Sequence, residues 1–186
     1  MQGQVIAFPK YDFYATKELL SAYAAGPERL AAAIPNLTED ELRNRARGSA
    51  SWSIQEIVLH VTDSELQGAF RIRKAWAEPG ADFPGYNQDL WTKELGHQQS
   101  DADARALSLQ LFALLRRTTA QIFEQAEDAD WGRRWGKHPE FGSLTLRNLL
   151  ELYADHSERH LEQILIIRRL LGKPLNFPML LPQRLF

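Results

Sequence analysis

An all-α four-helix bundle is the fold this sequence predicts. Apolar residues recur at helical period over four long stretches, alternating β-branched runs are missing, and helix start and stop signals bracket the stretches. A single domain over 1–186 suits a chain of this length, which is long enough to bury a real core.

The elements follow in order. A first helical region runs from about Ala15 to Ile34, with "GP" at Gly26–Pro27 expected to interrupt it, because proline readily opens a new helical turn. "TEDELRNR" (38–45) is a short helix with Thr38 as N-cap and Glu41 three residues on. "SIQE" (53–56) is a capping box that starts the second long helix, which stops at "EPG" (78–80). The third long helix covers about Asp101 to Ala126, with Leu107, Leu111, Leu114, Leu115, Thr118 and Ile122 as its expected buried stripe. The fourth runs from about Thr145 to Leu171, closed by Gly172 and Pro174. The main helices are about 24–27 residues long, roughly 36–40 Å, and rods of similar length favour a bundle. Residues 79–100 and 127–144 are long connections, expected to lie near a site at one bundle mouth, the first with a short extra helical turn.

Composition narrows the function. The apolar and charged fractions, 44% and 25%, are those of a globular protein, and the formal charge is -2. Basic clusters such as "RIRK" (71–74) and "GRR" (132–134) are short, so neither nucleic acid nor an anionic membrane is an expected partner. The chain has no cysteine, which excludes disulfides, thiolate ligands and a cysteine nucleophile. Neither a signal peptide nor a transmembrane run is evident, and a cytoplasmic location is expected.

The chemistry concentrates in "ADHSERHLEQI" (154–164). On a helical wheel Leu146, Leu149, Tyr153, Ile164 and Ile167 all fall within about 80° of His156, as does His160. Asp155, Glu158, Arg159 and Glu162 fall about 200–300° away, on the expected polar side. Each imidazole on the apolar face needs partners for both nitrogens, and an unpaired buried polar group costs about 2–7 kcal/mol. A divalent metal answers this for two histidines four residues apart. His60 on the second long helix is a candidate third ligand. Beside it Ser64, Gln67 and Arg71 make a polar edge along an apolar stripe, as in one wall of a wet cleft, with Asp63 further round.

"WSIQEIVLHVTDSE", followed about 95 residues later by "HSERHLEQI", resembles the DinB/YfiT-like proteins over roughly residues 10 to 172. The resemblance implies an up-down-down-up bundle that binds one divalent metal through His60, His156 and His160, and it implies a homodimer. Three neutral ligands leave open positions and suit catalysis. Zinc or nickel is expected, with iron or manganese as alternatives.

The leading expectation is transfer of a low-molecular-weight thiol to an electrophilic small molecule. A hydrolase using a metal-activated water is the alternative, and a non-catalytic binding bundle is the third. Glu158 points away from His156, which argues against zincin peptidase chemistry. Asp63, Ser64 and Gln163 are the candidate catalytic or orienting residues, Gln163 through a ligand imidazole and Asp63 through His60. Gln67 and Arg71 are the candidate substrate-binding residues, and a surface ion pair of Arg71 with Asp63 or Glu78 is the competing expectation.

His97 is expected to be solvated; His138 is expected at the surface, with an approach to the mouth of the site as the alternative. Trp52 is expected to staple the helix start, and Trp76 and Trp131 to anchor core or loops. Tyr86, Trp91 and Trp135 are candidate pocket walls. The apolar tail "LNFPMLLPQRLF" is expected to pack back on the bundle or cover a dimer interface.

Overall fold

The computed structural model describes residues 11–46, 48 and 51–181. The four long helices are α1 (Thr16–Ala32), α3 (Ile54–Ala77), α5 (Ala102–Glu124) and α7 (Leu146–Leu170). Short helices α2 (Glu39–Arg43), α4 (Gln88–Glu94) and α6 (Asp130–Arg133) and a 3-10 turn (His97–Gln99) lie between them. Both capping boxes form: Thr38 and Ser53 accept from the backbone N–H of Glu41 and Glu56, whose carboxylates reach back.

Side-chain pairs give the helix directions. Arg147 reaches Thr16, Arg29 reaches Glu158 and Arg168 reaches the Ala33 carbonyl, so α1 and α7 are parallel. Arg105 meets Gln55, Ser108 meets Thr62 and Arg73 meets Thr119, so α3 and α5 are parallel. His60 lies by His156 and Arg71 by Tyr153, so α3 opposes α7. The order is up-down-down-up, and the segment after α3 travels back along the bundle before α5 begins. Among the described residues, no helix is long and apolar enough to cross a membrane.

Helix α1 is continuous, against the expected interruption at Gly26–Pro27. Pro27 cannot donate to the carbonyl four residues back, that of Tyr23. Arg116 Nη1 donates to that oxygen instead, at 2.7 Å. The loops also hold a small sheet that the sequence signals did not reveal. Strand β1 (Ala81–Asp82) pairs parallel with β2 (Trp135–His138), which pairs antiparallel with β3 (Gly142–Thr145). Gly142, at φ 70°, closes the turn after Pro139–Phe141.

The face of α5 also differs from expectation. Leu107 and Leu114 are 64% and 56% exposed, and Leu111 is exposed too. The buried positions are Arg105, Phe112, Arg116, Thr119, Ala120 and Phe123. Arg116 explains the switch, because it forms a buried ion pair with Glu65 at 2.6 Å and also donates to the Tyr153 carbonyl. The Glu65 carboxylate accepts from the Tyr23 hydroxyl at 2.5 Å. Close α3–α7 packing depends on Gly68, where a Cβ would lie 2.6 Å from the Tyr153 ring.

Only part of the polar side of α7 faces solvent: Glu162 is exposed and Arg159 half-buried, but neither Asp155 nor Glu158 is exposed. Asp155 is buried beneath Tyr11 and Arg159, and Glu158 is buried beneath Arg29 and the tail. The Leu180 N–H donates to Glu158 at 2.7 Å, and Arg29 donates to the Pro178 carbonyl. Phe177, Met179 and Leu181 pack on the apolar clusters, so the described part of the tail returns to the bundle as expected. Deleting residues 175–186 is expected to cost roughly 2–4 kcal/mol of burial and hydrogen bonding, read as a lower urea midpoint. An unchanged midpoint would mean that these contacts contribute nothing to stability.

Candidate metal centre and its cavity

His60 stands in the second turn of α3, where the Ser53 cap fixes the start of the helix. His156 and His160 stand one turn apart on the opposed α7. Antiparallel packing brings the three rings together. His156 Nε2 lies 3.3 Å from His60 Nε2 and 3.1 Å from His160 Nε2. One nitrogen from each ring falls within 4.8 Å of the others.

Burial keeps the His60 and His156 rings neutral. Burial, and then the neighbouring His160, push the His60 pKa down to about 2. Burial and the other two rings hold His156 well below its ordinary value. His160 Nδ1 lies 2.9 Å from Gln163 Oε1, and a carbonyl oxygen can only accept. The proton is therefore on Nδ1, and Nε2 turns its lone pair toward the other two rings. With the proton on Nδ1 in all three rings, three Nε2 lone pairs converge and repel one another unless a cation sits between them. Ligands about 2.0–2.1 Å from one ion stand about 3 Å apart, as the 3.1 and 3.3 Å separations about His156 would require.

Trp52 covers the cluster from outside. Its ring lies 4.4 Å from that of His60 and is stacked at 6.2 Å on that of His160. Beyond stapling the helix start, it shields two of the three rings.

His156 and His160 also line a cavity of ≈ 750 Å³. Its wall includes Trp52, Ser64, Arg71, Tyr86, His138 and Gln163. Gln67 is half-buried and lies outside this lining. Of the aromatic candidates, Tyr86 lines the cavity; Trp91 packs edge-on against Tyr86, and Trp135 covers Gly80.

Asp63 is engaged away from His60. Its carboxylate lies 2.7 Å from His97 Nε2, and His97 is buried rather than solvated. His138 is also buried, against the expectation of a surface position. Strand β2 carries it over the cavity, so the small sheet is what brings it to the site. Its place near the start of the last long helix, after a glycine-rich aromatic stretch, was the sequence hint that it could approach the mouth of the site. Asp89 and Glu140, both exposed, are further lining residues that sequence patterns did not single out.

The family model described as the DinB superfamily matches residues 22–164. The chain belongs to the DinB superfamily. A provisionally named metal-dependent hydrolase of Bacillus mycoides (strain KBAB4) is 28% identical over 146 residues, covering 78% of this chain and 81% of the relative. One of the same description from Geobacillus thermodenitrificans (strain NG80-2) is 26% identical over 160 residues, covering 84% and 85%. The solved structure of YfiT from Bacillus subtilis superposes with a TM-score of 0.78 at 21% identity, covering 88% of this chain and 93% of YfiT. YfiT is described as a probable metal-dependent hydrolase with an unusual four-helix bundle topology. That likeness supports the up-down-down-up fold of this DinB-superfamily chain.

Proposed function

We propose that this chain is a divalent-metal-dependent hydrolase of small molecules, with His60, His156 and His160 as the ligands. The observation that carries this reading is that two of the three histidines open onto a sizeable cavity. A purely structural site would be closed by a fourth protein ligand. When bound, the ion would supply Lewis-acid chemistry, favouring the deprotonated form of a nucleophile in its open position.

The chain's own residues do the rest. Gln163 holds the His160 proton on Nδ1 and so fixes the ring's orientation. Trp52 limits water access to the ligand rings. The Ser64 hydroxyl offers a donor and an acceptor on the cavity wall. Asp63 acts on His97, positioning the 3-10 turn beside α3. The names of the relatives support water as the nucleophile. A low-molecular-weight thiol is the second reading, favoured by a cavity of ≈ 750 Å³, which has room for a co-substrate beside an electrophile.

Metal analysis of the purified chain is expected to find about one divalent ion per chain. Activity against a panel of small esters and amides should vanish on chelation and return with metal. Turnover only with thiols and electrophiles would favour the second reading. A tightly held metal with no metal-dependent turnover on either panel would leave a binding bundle.

A further inference from the structure

Arg71 is 5% exposed, yet no carboxylate pairs with it among the described residues. Nη1 donates to the Tyr153 hydroxyl at 2.8 Å and Nη2 to the Pro84 carbonyl at 2.7 Å, both neutral groups. Nε has no partner. The acids expected to neutralise it are committed elsewhere: Asp63 to His97 and Glu78 to Lys74.

Other buried arginines are compensated. Arg116 has Glu65, and Arg105 has Glu39. Arg168 meets only carbonyls, those of Ala33 and Pro35, but these lie at the C-terminal end of α1, where the helix dipole is negative. Arg159, the other cation on the cavity wall, is paired with Asp155. Arg71 therefore stands on the wall with its charge unmatched, and a buried charge without a partner is costly.

A second donor stands on the same wall. His138 Nδ1 accepts from the backbone N–H of Glu140 and Phe141, at 3.2 and 3.4 Å. Its Nε2 therefore carries the proton while the ring is neutral. Burial, and then Arg71, hold its pKa down to about 4, so the ring is neutral at pH 7. One fixed cation beside one neutral N–H suits a singly charged planar anion better than a phosphate dianion. The acids of the wall, Asp89 and Glu140, are exposed.

We propose that the substrate carries a carboxylate, which Arg71 and His138 bind on the cavity wall while the reacting group lies at the three histidines. The reacting end rests on the metal-dependent reading above; the carboxylate end does not. Arg71 lies eleven residues beyond His60, about 16 Å of helix rise. Carboxylate and reacting group are therefore several bonds apart in the substrate.

The test is calorimetric titration of the full chain with hexanoate and with hexanamide, both metal-loaded and after chelation. The wild-type chain should prefer hexanoate by roughly ten-fold or more in both forms, as expected for a charge-assisted hydrogen bond. Arg71→Met should erase the preference, and Arg71→Lys should retain part of it. Should Arg71→Met not fold, the Nε–H resonance of Arg71 in the wild-type chain supplies the second measurement. It should shift with hexanoate and stay in place with hexanamide. Equal affinity for the two ligands, a preference that survives Arg71→Met, an unmoved Arg71 resonance or a preference confined to the loaded form would each overturn the proposal. Failure of the hydrolase reading would leave the preference intact in the chelated chain.

Discussion

Replacing His156 with alanine is expected to abolish metal binding while leaving the bundle folded. His156 is the central ligand of the proposed site, since its Nε2 faces both other imidazoles, at 3.1 and 3.3 Å. Losing an outer partner of a metal ligand typically costs about 10–100-fold in affinity. Loss of the central ligand should exceed that, so Gln163→Ala should fall within that range and His156→Ala beyond it. The fold should survive because the two core clusters are built from apolar side chains such as Leu149, Tyr153, Ile57 and Ile164. Circular dichroism and metal titration of the variant check both halves. A variant that keeps wild-type metal affinity would remove His156 from the site.

Arg116→Met is expected to cost the most stability of any single change considered. Arg116 and Glu65 are each 1% exposed, and they neutralise one another at 2.6 Å. Breaking a buried pair by removing one partner costs about 3–5 kcal/mol. The same substitution strips the donor from the Tyr23 carbonyl that Pro27 leaves without its helical partner. Glu65 would then need a proton, and burial already raises its pKa. Adding Glu65→Gln to Arg116→Met should recover part of the loss, since a neutral pair carries no uncompensated charge. Urea unfolding of the single and double variants measures this. A single variant within about 1 kcal/mol of wild type would show that the pair contributes little net stability.

These two sites also show what the sequence could and could not disclose. The histidines were legible because helical periodicity placed them among leucines and isoleucines, and such periodicity survives folding. The capping boxes at Thr38 and Ser53 were legible because they are local. The buried face of α5 was hidden because its central residue, Arg116, looks like a surface residue until Glu65 on another helix supplies its charge. Continuity through Pro27 was hidden for the same reason. His97 and His138 lie in segments whose burial comes from distant partners, Asp63 for one and the short sheet for the other. Short strands of two to four residues carry too little periodic pattern to be read from sequence alone.

In the proposed site, three histidines hold one divalent ion on a wall open to the cavity. Visible spectroscopy of cobalt(II) titrated into the metal-free chain, with azide added at saturation, tests it most directly. The expected result is saturation near one equivalent, a spectrum that shifts with azide, and no such spectrum in His60→Ala, His156→Ala or His160→Ala. Cobalt uptake that persists in any of these variants, or a wild-type spectrum indifferent to azide, would contradict it.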